Sequence, residues 1–241
     1  MICHKISTWQ FTKLNLLFKI MIMDKSPEKI KEMFDKIAKI YDFNNSLMSF
    51  GQHKRIKKSS IKYLKTTGKV LDLCTGTGDI AGFLSKNSQN EVIGLDFSKN
   101  MLEIAQKKYP LVQFIEGDCI NLPFEANSFD AVTISFGLRN IENYDKALGE
   151  IYRVLKPNGT FMHLDFGKKN ALGDLLFDFI VPKLVKIFYN DQLPYEYLVK
   201  SKKIFFNEEQ LVELFKKHNL KVQESHYFLF GGASCQICTK I

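Results

Sequence analysis

The chain is predicted to fold as a doubly wound α/β domain with a seven-stranded, mostly parallel sheet, helices on both faces and a C-terminal antiparallel hairpin. Two observations predict it. From Val70 onward, short β-rich runs alternate with amphipathic helical runs, which implies right-handed crossovers and a ligand site at the C-terminal ends of parallel strands. Beyond Glu208, one helical run precedes two strand-like runs separated by Gly231-Gly232, the pattern of a closing hairpin.

With 241 residues, one domain with a full core suffices. Residues 1–25 read as an extension, and 26–241 as the domain. The apolar patch at 16–23 is interrupted by Lys19 and falls short of the roughly 20 residues a spanning helix needs. No small-residue cleavage site follows it, which argues against a signal peptide. Translation from Met21 or Met23, or a weak membrane-surface contact, is expected instead.

Ser26-Pro27-Glu28 supplies an N-cap, a first-turn proline and an acidic first turn, followed by Ile30, Met33, Phe34, Ile37, Ile40 and Tyr41 at helical spacing. A polar-aromatic connection at 41–53 then leads into a Lys-rich helix through Leu64, and Tyr41 is a candidate lid residue. Strands are expected at 70–73, 91–95, 113–116, 131–135 and 160–166, with helices at 80–86, 99–108 and 145–155. An aromatic-rich insertion at 170–206, carrying Phe177, Phe179, Phe188, Tyr189, Tyr195 and Tyr197, is expected to cover a substrate. Helix 208–217 and strands 220–230 and 233–239 complete the chain.

The formal charge of +8, on a composition 45% apolar and 25% charged, comes mostly from scattered lysines and reads as solvated surface, or as a face for anionic lipid or nucleic acid. Cys235-Gln-Ile-Cys238 stands alone without a paired metal-ligand spacing. It reads as small apolar residues of a terminal strand in a reducing cytosol, and no metal site is expected.

Val70 to Asp79 is a buried strand ending in a glycine turn, and Gly76-Thr77-Gly78-Asp79-Ile80-Ala81 satisfies GxGxx[GA]. Asp96 lies about twenty residues on, where a carboxylate accepts hydrogen bonds from ribose hydroxyls. Both a nicotinamide enzyme and a methyltransferase with a sulfonium cofactor fit that pair. Asp72, just before the glycines, would oppose a pyrophosphate but can help to hold a cationic ligand or order the turn. Asp118-Cys119 follows the third strand, where an acid beside a small apolar side chain can accept an adenine amino group. These features favour a ligand without phosphates.

Val70 to Asp79, Gly94-Leu95-Asp96-Phe97-Ser98, Gly117-Asp118 with Leu122-Pro123-Phe124, Ser128-Phe129-Asp130 and Arg153-Val154-Leu155-Lys156-Pro157 together resemble a Rossmann-like class I S-adenosylmethionine-dependent methyltransferase. Thr133-Ile134-Ser135-Phe136-Gly137-Leu138-Arg139-Asn140 resembles the signature of the bacterial menaquinone and ubiquinone biosynthesis C-methyltransferases, and Met33-Phe34-Asp35-Lys36-Ile37-Ala38 with Tyr41-Asp42 matches that family's opening segment. The likeness runs from about Lys31 to the C-terminus. It implies that S-adenosylmethionine contacts Thr77, Asp96, Asp118, Cys119 and Ser135, in agreement with the strand-end positions Asp72, Gly76 and Gly78. Cys74 departs from the pattern by standing where the broader class has its first turn glycine, and Asp165 stands where a glutamate is usual.

The family reading implies C-methylation of a prenylated quinol ring, with demethylmenaquinol favoured. Arg139, beside Asn140, is the first candidate to stabilise phenolate charge, with His163 and Asp165 as alternatives. Tyr41, Arg139 and Asn140 are the expected substrate contacts. The expected setting is cytoplasmic, with peripheral association at the inner face of a membrane and a homodimer as a further partner. The alternative is O-methylation of another small aromatic molecule. Nucleic acid is not an expected partner, because no Asn-Pro-Pro-aromatic or Asp-Pro-Pro-aromatic motif is present to bind an extruded base.

Overall fold

The computed structural model describes residues 25–49, 51–65, 67–167 and 193–241. Expectations for the first two dozen residues, and for Phe177, Phe179, Phe188 and Tyr189, lie outside the described residues. The chain opens with α1 (Pro27–Ile37), a 3-10 turn (Ala38–Ile40), α2 (Tyr41–Met48), α3 (Gln52–Ser60) and a second 3-10 turn (Ile61–Tyr63). Then follow β1 (Gly68–Leu73), α4 (Asp79–Leu84), β2 (Asn90–Asp96), α5 (Lys99–Lys108), β3 (Gln113–Glu116), β4 (Phe129–Ser135), a 3-10 turn (Leu138–Asn140), α6 (Tyr144–Val154) and β5 (Leu155–Phe166). The described part of the insertion holds α7 (Leu193–Ile204), and α8 (Glu208–Lys217), β6 (Leu220–Phe228), a 3-10 turn (Leu229–Gly231) and β7 (Ala233–Lys240) follow it.

The strands form one sheet in the order β3-β2-β1-β4-β5-β7-β6. Strands β1 to β5 pair in parallel, while β7 runs antiparallel between β5 and β6. The order reverses between β1 and β4, so their C-terminal ends part and leave a crevice there. Alternation along each strand builds two cores. Leu71, Leu73, Val132, Ile134 and Phe161 face one side with Leu148, Ile151 and Phe215, whereas Val70, Ala131, Met162 and Leu164 face the other with Ile56, Ile80 and Ala81.

The same alternation disposes of the CxxC pair. Cys238 packs in the first core and Cys235 in the second, because three residues along a strand reverses the face. Burial raises both thiols, Cys235 to about 12, as the non-redox reading expects.

Local chemistry starts the helices where polar caps stand. Ser98 accepts from the Met101 amide at α5, Asn143 from the Lys146 amide at α6, and Asn207 with Gln210 forms a capping box at α8. Two elements differ from expectation. Residues 41–48 are helical rather than a connection, because tertiary partners hold them: Tyr41 meets Phe34 edge-on at 6.1 Å, and Asp42 pairs with Lys108 at 2.7 Å. Strand β5 begins at Leu155, five residues before Thr160, by way of a register shift in which Asn158 takes a φ of 61°.

The turn after β1 is built around a buried carboxylate. Asp72 is 1% exposed; its Oδ2 accepts from the Thr75 hydroxyl at 2.6 Å and the Ala81 amide at 3.2 Å, and its Oδ1 from the Thr133 hydroxyl at 2.7 Å. Asp72 therefore orders the turn and ties it to β4, and the expectation of a ligand contact is corrected in favour of that role. Close approach completes the junction: a Cβ on Gly137, just past β4, would come within 2.6 Å of the Cys74 Cβ. Cys74 itself adopts φ 51°, so the turn keeps its left-handed residue without a glycine.

Burial pushes the Asp72 carboxyl up to about 6 from 3.8, against the hydrogen bonds that lower it. With the folded value above the unfolded one, the associated stability is present below pH 3.8 and is lost as pH rises through about 6. The difference corresponds to on the order of 3 kcal/mol. In Asp72→Asn the amide oxygen can still serve Thr75 and Ala81, and the amide nitrogen can donate to Thr133. The melting temperature of Asp72→Asn, followed by circular dichroism across pH 4 to 8, is expected to gain on that of the unsubstituted protein up to about pH 6 and then run parallel to it. Parallel behaviour across the whole range would refute the buried-charge account.

Candidate active site

At the crevice lies an open cleft of about 870 Å³, floored by Cys74 and Gly76 from the β1 turn, Asp96 from β2, Asp118 and Cys119 after β3, and Ser135 to Gly137 and Asn140 after β4. The N-terminal segment covers it with Lys25, Ile30, Phe34 and Tyr41. Of the residues expected from the sequence, Tyr41, Gly76, Asp96, Asp118, Cys119, Ser135 and Asn140 are thus brought together.

Asp96 is 6% exposed, with Oδ1 accepting from the Ser98 amide at 2.9 Å and Oδ2 from the Gly76 amide at 2.8 Å. Burial raises its carboxyl to about 6, although the Ser98 and Gly76 amides pull it down. Each oxygen keeps a second lone pair, so the carboxylate can still accept from a vicinal diol. Asp118 steadies its own loop by accepting from the Ile120 amide at 3.1 Å. The Ser135 hydroxyl is buried without a hydrogen-bond partner among the described residues. Gly76 has φ 55° with nothing within 4 Å of where a Cβ would stand, so its backbone is open to a ligand. Cys119 beside Cys74, together with burial, raises the Cys74 thiol well above its usual range, so the Cys74 sulfur is a neutral, soft part of the wall.

A carboxylate for a diol, an unpaired hydroxyl, an open glycine and a second acid beside soft sulfur fit an adenosine-type ligand.

Three expected contacts sit elsewhere. Asp72 is enclosed in the turn. Thr77 is 2% exposed, its hydroxyl donating to Asp42 at 2.7 Å and accepting from Lys108 at 3.2 Å. Gly78 packs under the Phe114 ring and Ala105. Lys108 also reaches Asp79 at 2.9 Å, and Lys57 lies 3.2 Å from the same carboxylate. Burial alone would raise Asp79, but the two ammonium groups outweigh it and hold the carboxyl well below the usual range. Thr77 therefore fastens the covering helices to the glycine turn.

Arg139 also differs from expectation: it is 6% exposed and does not line the cleft among the described residues. Its Nη1 donates to Asp165 Oδ1 at 2.8 Å and to the Phe136 carbonyl at 2.6 Å, and its guanidinium lies 4.8 Å from the Phe166 ring centroid. The pair is held behind Phe136, which takes φ 56° at the end of β4. Asn140 lines the cleft while accepting from the Tyr197 hydroxyl at 3.1 Å. His163 is fully buried among Phe205 and Phe215, with Nδ1 2.7 Å from Gln236 Oε1, and burial lowers its pKa. Its strand position points it into the core, so it is no general base.

Sequence reasoning missed Lys25, which it placed in the extension, and Lys108, an unremarkable lysine on a helix. Nothing in their immediate sequence marks either one; their roles come from contacts across 114 and 66 residues.

Residues 22–240 match the model of the ubiE/COQ5 methyltransferase family. The chain is 35% identical over 227 residues to a demethylmenaquinone methyltransferase of Bacillus cereus, covering 88% of this chain and 96% of the relative. A Bacillus anthracis protein of the same name is 35% identical over 229 residues with the same coverage. Among solved structures, a SAM-dependent methyltransferase from Thermotoga maritima superposes with a TM-score of 0.67 at 21% identity, covering 87% of this chain and 99% of its own. Another from Aquifex aeolicus gives 0.58 at 17% identity, covering 82% and 98%. The solved structures share the fold; the family model and the Bacillus relatives carry the assignment. A chain matched nearly end to end, with its acids and open glycine gathered at the switch point, belongs to the ubiE/COQ5 methyltransferase family and is an S-adenosylmethionine-dependent methyltransferase.

Proposed function

We propose that the chain methylates a ring carbon of a prenylated quinol, with demethylmenaquinol as the favoured acceptor. The observation that carries this reading is the make-up of the cleft. Its lining sets the carboxylates Asp96 and Asp118 and the polar Ser135 and Asn140 against an aromatic and aliphatic wall that includes Phe34, Tyr41, Phe136 and Ile141. The likeness to relatives named demethylmenaquinone methyltransferase supports the same acceptor.

When bound, S-adenosylmethionine supplies an electrophilic methyl group on a sulfonium. Asp96 holds the ribose hydroxyls, Asp118 meets the adenine amino group, and Gly76 allows backbone to approach. Phe34 and Tyr41 close over the flat ring and exclude water, while Ser135 and Asn140 set its hydroxyl edge. Loss of a ring hydroxyl proton makes the adjacent carbon nucleophilic, so the protein's work is orientation, worth roughly 7 to 11 kcal/mol in well-aligned cases. The charge of +8 supports peripheral association with an anionic membrane on the cytoplasmic side, where a prenylated acceptor resides. Among the described residues no helix is long and apolar enough to cross a membrane.

Incubation with S-adenosylmethionine labelled in its methyl group is expected to label demethylmenaquinol, and to label a ubiquinol precursor or RNA less. Label on a phenolic oxygen instead of ring carbon, read by mass spectrometry, would replace the reading with O-methylation. For the cofactor, ribose hydroxyls bind an ionised acceptor more strongly than a neutral one, and the Asp96 carboxyl is protonated below about 6. Calorimetric titration is therefore expected to show affinity falling as pH drops from 7 to 5. Asp96→Asn should bind on the order of tenfold more weakly at pH 7 and lose that pH dependence.

A further inference from the structure

We propose that Lys25 is a catalytic residue, its ammonium pairing directly with the anionic ring oxygen of the acceptor; this rests on the quinol reading above. Lys25 lines the same cleft as Ser135 and Asn140 and stands two residues before α1. Its Nζ donates to the Arg139 carbonyl at 2.7 Å, which pins the ammonium beside the turn that follows β4. An ammonium has three donors. That anchor uses one, and among the described residues the others meet no carboxylate within ion-pair distance.

The charges around it do not cancel it. Arg139 and Asp165 are engaged with each other at 2.8 Å, so behind Phe136 they form a neutral pair. Asp96 and Asp118 line the nucleoside end, Glu142 and the phenol of Tyr41 line the cleft, and Tyr197 donates to Asn140. Among the described residues Lys25 is the one cation lining the cleft, and none of the cleft carboxylates lies within ion-pair distance of it. Burial lowers the Lys25 pKa first and the Arg139 charge lowers it further, while Asp165 raises it in part, so the ammonium gains from an anion brought beside it. A phenolate oxygen, generated where the flat ring meets Ser135 and Asn140, supplies that match, and the cation in turn favours its ionisation.

The cofactor carries an anion too, its amino-acid carboxylate, and the test separates the two. The variants are Lys25→Met and Lys25→Arg in the full chain. The probe is 4-nitro-1-naphthol, whose phenolate absorbs in the visible, bound in the presence of S-adenosylhomocysteine. In the unsubstituted protein the bound probe is expected to ionise about one unit or more below its value in Lys25→Met, with Lys25→Arg restoring most of the shift. Turnover on demethylmenaquinol should fall about tenfold or more in Lys25→Met, with S-adenosylmethionine affinity changed less than about twofold. A probe that ionises identically in both proteins, or fails to bind, overturns the proposal. So does a loss of cofactor affinity equal to the loss of turnover, which would assign Lys25 to the cofactor carboxylate. If the unsubstituted protein does not methylate demethylmenaquinol while the probe shift persists, it is the quinol reading that fails.

Discussion

The hydrogen bond from the Thr133 hydroxyl to Asp72, 2.7 Å long and fully buried, joins the two central strands where the strand order reverses. It fixes the relation between the β1 turn and the β4 end, the two walls of the cleft. A wider separation would leave Cys74 and Gly137 out of contact and would part Gly76 from Ser135. A narrower one is forbidden by the Cys74 side chain, already as close to Gly137 as a missing Cβ allows. Burying a carboxylate to achieve this is costly, and three donors offset the cost by hydrogen bonding.

The covering helices are bound to that rigid floor by polar contacts as well as by the buried side chains of Ile30 and Ala38. Asp42 meets Thr77 and Lys108, Asp35 accepts from Ser98 at 2.5 Å, and Lys31 pairs with Glu116 at 2.8 Å. Exposed pairs such as Lys31 with Glu116 contribute little. The network of Asp42, Thr77, Lys108, Asp79 and Lys57 is more sheltered and reaches into the glycine turn itself. Binding at the turn and closure over the cleft therefore act through shared residues.

Much of this was legible in advance. The short β-rich runs at 70–73 and 131–135, the glycine turn, and the acids at strand ends located the sheet and the nucleoside end, since these follow from local chemistry and the handedness of crossovers. Helix α2 was not legible, because Tyr41-Asp42-Phe43-Asn44-Asn45 has weak intrinsic preference and becomes helical through Phe34 and Lys108. Asp72 was ambiguous for a different reason. A carboxylate beside glycines reads alike whether it faces a ligand or the turn, and only Thr133, sixty-one residues away, decides it.

Arg139 and Lys25 divide the charge at the end of β4. The Arg139 guanidinium lies near the rings of Phe136 and Phe166 and meets the Asp165 carboxylate at 2.8 Å. There its charge is balanced, and removing either partner would leave the other buried and unpaired, typically at about 3 to 5 kcal/mol. A loss of activity in an Arg139 variant would therefore mix folding with chemistry. Lys25 carries no such debt: it belongs to the covering segment, pairs with a carbonyl rather than a carboxylate, and faces the cleft. The backbone of Arg139 holds the cation in place while its side chain keeps Asp165 from competing for it. In this arrangement the arginine positions and the lysine contacts, a division that only the fold, and not the spacing of residues, creates.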